Sequence, residues 1–282
     1  MMSHPRLTRS AAFAARVMLV VALAIAGGDR ALAQGKLEAS YTITFARIHV
    51  GDIATVLELA AGNYTISAMG NAGGVIRSLI SGEAAFAAQG ILKDGRAVPS
   101  SFTSKIMAAD ENLDVTMMLN DGTVEKLTVV PPPADNRVPV TDADRRGIID
   151  PLSAFLILRP PATTSGAAGT ELSPDICQRT LPIFDGLQRY DLKLAYKRMD
   201  KVAAEKGYAG PVVVCSIAYQ PIAGHRASTP LIKYLSEGRE MEIAFAPIPG
   251  TRMLGPFQVS VVSMLANLVI KAERFEATGA VQ

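Results

Sequence analysis

The chain of 282 residues contains no tryptophan, and only 6% of its residues are aromatic. We therefore expect a core built from valine, isoleucine, leucine, alanine and methionine. Histidine and cysteine are also scarce, with three and two residues respectively. The chain has no His-x-x-x-His motif, cysteine-rich cluster or aspartate-rich calcium loop, so the sequence predicts neither a metal site nor a cofactor.

Motifs of nucleophilic catalysis are missing as well. There is no Gly-x-Ser-x-Gly elbow, no Cys-x-x-Cys pair and no phosphate loop, because residues 70–74 (GNAGG) lack the lysine and hydroxyl residue of such a loop and are interpreted as a flexible connection. Carboxylates remain, since a pair of them can hydrolyse a glycosidic bond. The candidates are Asp150, Asp175, Asp185 and Asp191. A helix cap explains Asp150 and a turn explains Asp185, so we expect no catalytic residue.

Long apolar runs are absent except near the N-terminus. Residues 17–26 (VMLVVALAIA) follow a leader with three arginines, and Ala31-Leu32-Ala33 places small residues directly before Gln34. This pattern is typical of a secretory signal peptide cut between Ala33 and Gln34. The run is too short to cross a bilayer. We expect residues 1–33 to be removed and the mature protein to reside in the periplasm without spanning a membrane.

Loss of the signal peptide would remove the apparent basicity of the chain. The sequence has 28 Lys and Arg against 26 Asp and Glu, and residues 1–33 hold four of the former and one of the latter. The remainder has 24 against 25, a net charge of −1. No basic stripe remains, which argues against nucleic acid or an anionic membrane surface as the principal partner.

Alternating apolar and polar residues dominate the rest of the chain. Residues 40–48 and 189–198 follow this period of two, which is typical of half-buried antiparallel strands. Turn signals occur at residues 61–63, 93–96 and 120–123, and two of them contain Asp-Gly. Residues 37–130 are therefore predicted to form a meander of antiparallel strands.

Proline residues 131–133 end the meander, and the pattern then changes. Asp150 is suited to cap a helix with Pro151 at its first position and with Leu152, Phe155 and Leu156 on one face. We predict a helix region over residues 141–159. Further strands are predicted near residues 175–181, 187–199, 210–220, 239–246 and 256–275, where residues 259–270 have the pattern of a strand pair or a short helix.

These elements predict a mainly β fold: one large, curved antiparallel sheet, an open barrel or spiral, with a short helix. Residues 34–282 would form a single β-rich domain, with the second strand set over residues 175–275. Two β-domains joined at the proline segment are the alternative.

The two cysteines, Cys177 and Cys215, are predicted to form a disulfide because the chain is expected to be exported. Closing a loop of about 39 residues stabilises a fold by roughly 4 kcal/mol in the chain-entropy model. A nucleophilic role is disfavoured because Cys215 lies in an apolar, strand-like run, which raises the pKa of a thiol.

Four segments of the chain form a recognisable set: 146–154 (RGIIDPLSA), Cys177 with 181–186 (LPIFDG), 189–192 (RYDL), and Cys215 with 219–224 (YQPIAG). On these residues the chain resembles a bacterial family of exported envelope proteins known as domain of unknown function 3108. The resemblance implies a β-rich exported domain. Such a domain is loosely similar to the curved-sheet envelope proteins grouped with lipoprotein carriers. No catalytic motif comes with it.

Such a curved sheet has a concave apolar face for an acyl chain or a peptide, and its edges can accept a partner strand. We therefore expect a non-enzymatic periplasmic scaffold that binds a lipid or an envelope protein and supports envelope integrity. A hydrolase of cell-wall or surface glycans that uses Asp150, Asp185 or Asp191 is the alternative. An outer-membrane barrel is disfavoured because several strands carry charges on their polar face. The sequence leaves the oligomeric state open.

Overall fold

A computed structural model describes residues 35–73, 82–108, 111–159, 172–238, 240–262 and 266–279. These residues all belong to one compact unit, Ala33–Gln282. The predicted signal peptide and its cleavage site lie outside the described residues. No helix within the described residues is long and apolar enough to span a membrane.

The described residues form 15 strands and one α-helix, with all but two of the strands along a single continuous sheet path. The strands are β1 (Gly35–Phe45), β2 (Ile48–Ala60), β3 (Asn63–Ala72), β4 (Gly82–Lys93), β5 (Arg96–Ala108), β6 (Glu111–Asn120), β7 (Thr123–Val130), β8 (Ile157–Leu158), β9 (Arg179–Phe184), β10 (Arg189–Ala203), β11 (Lys206–Gly207), β12 (Ala209–Ala223), β13 (Met241–Pro247), β14 (Met253–Val262) and β15 (Asn267–Thr278). The helix is α1 (Pro230–Ser236).

The order of the strands is β7-β6-β5-β4-β3-β2-β1-β15-β14-β13-β12-β10-β9, and neighbours along this path are antiparallel. Strand β8 pairs with β14, and β11 pairs with β15 in parallel. The path does not close, because β7 and β9 are its two ends. The predicted fold class, one large open antiparallel sheet with a short helix, is confirmed.

Strands β1 to β7 follow one another as a meander joined by tight turns. Ala61-Gly62, Asp94-Gly95 and Asp121-Gly122 each have positive φ at both residues, as two-residue hairpin turns require. These three turns lie where the sequence predicted them. The residue types explain the prediction, since glycine and aspartate enter this region of backbone conformation at low cost.

Two predictions in the meander were wrong. Residues 40–48 are not one strand, because Ala46 and Arg47 form a further positive-φ turn between β1 and β2. Neither residue type favours that conformation, so the sequence carried no turn signal there. Residues 70–72 are not a flexible connection either, since they pair with β2 and lie within β3.

The helix predicted after Asp150 is not an α-helix. Residues 141–159 contain two short 3₁₀ turns, Ala143–Arg145 and Ser153–Phe155, and then strand β8. The chain leaves the turn at Leu156 because Ile157 pairs with Leu254 of β14. Tertiary pairing therefore overrides the local helix signal. Helix α1 was not predicted.

Boundaries in the second strand set also differ from the prediction. The segment Pro174–Cys177 is a 3₁₀ turn rather than the start of a strand. Within residues 259–270, Val259–Val262 belong to β14 and Asn267–Ile270 to β15, so the described part forms a strand pair, which is one of the two structures expected for it; residues 263–265 lie outside the described residues. The predicted disulfide is confirmed: Cys177 is bonded to Cys215 of β12, and their Cα atoms are 5.4 Å apart.

Strands β12 to β14 each contain a stretch that is buried on both faces. Along β12, Val212 and Val214 point into a core shared with the meander, whereas Val213 and Cys215 point into a second core around the disulfide. Phe245 of β13 is fully buried in the second core. The two cores thus lie on opposite sides of one sheet layer.

A short segment links the two ends of the open sheet. Ile148 donates its backbone N–H to Gly122 in the β6–β7 turn, and Ile149 forms a parallel bridge with Ile183 of β9. Gly186, in the turn after β9, touches β6, because a side chain at that position would clash with Val115. The segment Gly147–Ile149 therefore joins β9 to the meander without a continuous strand ladder.

Candidate ligand-binding site

The inner face of the meander encloses an apolar cavity of about 540 Å³. Its walls come from β1 to β5 and from β14 and β15. Alternate residues of β3 show which face of the sheet forms the wall. Ile66 and Ala68 point inward and are buried, whereas Met69, the residue after Ala68, points outward and is 66% exposed. Exposed side chains of Glu83 and Met107 also line the cavity, so it reaches solvent where β3 ends and β4 begins.

The lining is almost entirely apolar. Its polar members are Tyr41, Thr55, Asn71, Glu83 and Gln258, and Glu83 is the one charged side chain among the described lining residues. The Tyr41 hydroxyl already donates a hydrogen bond to the carbonyl oxygen of Pro256 at 2.8 Å. A cavity of this size and lining has the character of a site for an apolar ligand.

The 3₁₀ turn Ser153–Phe155 closes one side of the cavity. Leu152, Phe155 and Leu156, the three residues predicted to share an apolar face, all line it. The sequence thus identified the right residues for an apolar surface although it assigned them to the wrong type of helix.

A buried polar network holds this turn in place. Tyr64 of β3 and Ser153 are joined by a hydrogen bond of 2.7 Å between their hydroxyl groups. Asp150 accepts hydrogen bonds through Oδ1 from the backbone N–H groups of Leu152 at 2.9 Å and Ser153 at 3.0 Å. Pro151, which lies between Asp150 and Leu152 in the sequence, has no backbone N–H to donate. The network connects the turn to the meander wall.

Asp150 is fully buried, and its Oδ2 atom has no hydrogen-bond partner among the described residues. Burial raises the pKa of Asp150 to about 6, although hydrogen bonds from Ser153 and Leu152 favour the charged form. Asp150 therefore has a structural role, and burial of its negative charge costs free energy of folding.

The other candidate carboxylates have structural partners or no pocket. Asp185 accepts hydrogen bonds from the N–H groups of Leu187 and Gln188 at 2.8 and 2.6 Å, and burial raises its pKa. Asp191 forms an ion pair with Arg189 on the same strand. Asp175 is exposed in a 3₁₀ turn.

The backbone segments that carry Asp150 and Asp185 are adjacent, and both carboxyl groups raise the pKa of Tyr190. The backbone explains this proximity, because the N–H of Phe184 donates to the carbonyl oxygen of Ile149 at 3.0 Å. However, neither carboxylate lines the apolar cavity or the two other main clefts of the described residues. The arrangement is that of two buried turn residues.

No group of three or more histidine, cysteine, aspartate and glutamate side chains that would hold a metal occurs within the described ranges. His49 contacts Asp52 through Nε2 at 2.9 Å near the start of β2, and both side chains are about half-exposed. We assign no chemical role to this pair.

The segments that carry the sequence resemblance are neighbours in the fold. Ile149 bridges Ile183, Arg189 pairs with Ala223, and Cys177 is bonded to Cys215. They lie where the meander meets strands β9, β10 and β12, so their contacts are structural. The cavity itself had no motif in the sequence, since only the alternation of the strands indicated an apolar face.

The fold and the cavity define a class: an open, curved antiparallel sheet with an apolar cavity on its concave side. The family comparison agrees with the sequence resemblance. The family model "Protein of unknown function (DUF3108)" matches residues 40–263, so the chain belongs to this family. No curated protein matches the chain.

Among solved structures, the chain is similar to the beta-barrel-like protein of domain of unknown function DUF1849 from Brucella abortus. The TM-score is 0.51 at 12% sequence identity, and the match covers 88% of this chain and 100% of that one. At this identity the similarity concerns the fold alone. It supports the curved β architecture described above.

Proposed function

We propose that the protein is a non-enzymatic binding protein of the bacterial periplasm, which holds a hydrophobic ligand in the cavity of the meander and supports cell-envelope integrity. The observation that carries the proposal is the apolar cavity of about 540 Å³. This volume falls within the range of about 300 to 1,000 Å³ that is usual for ligand pockets.

The chemistry of the lining favours an uncharged apolar group such as an acyl chain. An anionic headgroup would find no cationic partner among the described lining residues, since Glu83 is their one charged member. We infer that an acyl chain enters the cavity and that any charged headgroup stays outside. A glycan hydrolase is not favoured, because the candidate aspartates do not line this cavity.

Export is part of the proposal and has its own test. The basic leader, the apolar run at residues 17–26 and the small residues before Gln34 support cleavage after Ala33. Sequencing the N-terminus of the protein from the periplasm is expected to give Gln34 as the first residue. An N-terminus at Met1 in the membrane fraction would contradict the proposal.

Mass spectrometry of the protein purified from its own periplasm tests the ligand. We expect a co-purifying molecule with an apolar chain, or a lipid-bearing envelope protein. An empty protein, together with unchanged detergent sensitivity after deletion of the gene, would contradict the proposed function.

A cavity-filling pair of variants gives a sharper test. Ala68 points into the cavity, whereas the next residue, Met69, points to solvent. We expect Ala68→Trp to weaken binding of the uncharged dye N-phenyl-1-naphthylamine by about tenfold, equivalent to roughly 1.4 kcal/mol. Met69→Trp is the matched control and is expected to leave binding unchanged.

Fluorescence titration measures both variants, and thermal unfolding shows that they are folded. If Ala68→Trp does not fold, Ala68→Leu blocks less volume and is expected to show a smaller effect in the same direction. Equal dye affinity in folded Ala68 and Met69 variants would contradict a ligand site in the cavity.

A further inference from the structure

Arg179, the first residue of the edge strand β9, has an unusual environment. Its side chain is half-buried, and its Nε atom is inaccessible to solvent and has no hydrogen-bond partner among the described residues. No ion pair joins its guanidinium to another residue of the described ranges. Burial lowers the pKa of Arg179, and no nearby charge offsets this effect. The guanidinium is therefore available to pair with an anion that enters from solvent.

Arg179 lines a second pocket, of about 400 Å³. This pocket lies between the β4–β5 turn, the Gly147–Ile149 segment and β9. Arg96 lines it from the β4–β5 side, and Asp121 is the one acidic side chain among its described lining residues. The lining therefore carries a net positive charge.

The rest of the lining is largely apolar. Ala97, Leu156 and Leu181 contribute side chains with less than one tenth of their surface exposed. The turn Ser153–Phe155 lies between this pocket and the cavity of the meander, because its neighbouring residue Leu156 lines both. The two pockets are therefore separate sites that differ in charge. Among the described lining residues, the cavity of the meander has one charged residue, which is acidic, whereas the second pocket has two arginines and one aspartate.

We propose that this second pocket binds a small anionic molecule, whose carboxylate or phosphate group pairs with the Arg179 guanidinium and whose apolar part packs against Ala97, Leu156 and Leu181. The planar guanidinium presents paired N–H donors that match two oxygen atoms of either group. The site does not depend on the proposed function of the meander cavity, so each can fail without the other.

The test uses the mature protein and two aromatic anions, benzoate and phenyl phosphate, with benzamide as an uncharged analogue. Isothermal titration calorimetry is expected to show binding of at least one anion and none of benzamide. Whichever anion binds more tightly identifies a carboxylate or a phosphate as the preferred group. Absence of binding by both anions at millimolar concentration would overturn the proposal.

Substitution of Arg179 separates a ligand site from a structural arginine. Arg179→Met is expected to weaken anion binding by about tenfold or more, since a hydrogen bond to a charged group is lost. It is also expected to raise the unfolding temperature of the ligand-free protein, because an unpaired charge is removed from a half-buried position. Arg226→Gln, at an exposed position, is the control and should change neither quantity.

A structural role for Arg179 predicts the reverse. The ligand-free Arg179→Met protein would then unfold at a lower temperature, and anion affinity would equal that of the unsubstituted protein. Either result would overturn the proposal.

Discussion

The meander β1 to β7 and the packed strands β12 to β14 belong to one sheet, but they use their two faces differently. Each packed strand buries central residues on both faces, and Val213, Ile243 and Phe245 have no exposed surface. In the meander, one face is exposed to solvent, whereas the other packs in the first core and, over β1 to β5, also lines the cavity. The comparison predicts that close packing on one side of the molecule supplies most of the stability, while the cavity wall on the other side contributes less and is the place of the proposed ligand site.

The disulfide lies on the packed side, and its removal tests that assignment most strongly. The double variant Cys177→Ala, Cys215→Ala is expected to lose about 4 kcal/mol of unfolding free energy, because a loop of about 39 residues is released in the unfolded chain. Urea unfolding under oxidising conditions measures the loss. A loss below about 1 kcal/mol would show that the disulfide does not stabilise the packed side.

A pair of phenylalanine truncations compares the two regions directly. Phe245→Ala removes a fully buried ring from the packed side and is expected to destabilise the protein by at least about 3 kcal/mol. Phe86→Ala removes a half-buried ring from the cavity wall and is expected to cost less than about 2 kcal/mol, since less surface leaves the core.

Urea unfolding measures both phenylalanine variants. Equal losses would contradict the distinction between a packed side and a cavity side. A larger loss for Phe86→Ala would reverse it.

Asp150 lies between the two regions, and its buried carboxyl group is expected to make the free energy of unfolding depend on pH. Its pKa is raised from 3.8 to about 6 in the folded state, so the folded protein binds more protons than the unfolded chain between about pH 4 and pH 6. The free energy of unfolding should therefore fall as pH rises across this window, by on the order of 2 to 3 kcal/mol.

Asp150→Asn is expected to remove this contribution to the pH dependence. The measurement is urea unfolding at several pH values from 4 to 7. Asp175→Asn, at an exposed position, is the control and should retain the slope of the unsubstituted protein. A slope in Asp150→Asn equal to that of the control would contradict a buried, destabilised carboxylate.

The sequence predicted the elements whose signals are local. The Asp94-Gly95 and Asp121-Gly122 turns were predictable because these residue types adopt positive φ at low cost. The Ala46-Arg47 turn was not, because pairing between β1 and β2 imposes that conformation on residues that do not favour it.

Two similar proline signals had different outcomes. Asp150-Pro151 precedes a single 3₁₀ turn, whereas Thr229-Pro230 starts helix α1. After the first proline, the chain pairs with β14 as strand β8, whereas the residues of α1 take part in no strand pairing. A local signal alone therefore does not fix the length of a helix, and the signal at Thr229 could have indicated α1.

The candidate sites were less predictable than the fold. The alternation of the strands indicates which residues face inward, but it does not indicate whether their side chains fill the space between the strands. Arg179 had no sequence signal at all, because its proposed role depends on the lack of a partner among the described residues in three dimensions. The disulfide was predictable because only one pairing of two cysteines exists.

The segment Gly147–Ile149 acts as a spacer between the two ends of the open sheet. It attaches to Gly122 at one end of the sheet and to β9 at the other, so three residues set how far apart those ends stand. An insertion or deletion in this segment is therefore expected to alter the radius of curvature of the sheet without changing any residue of the cavity wall.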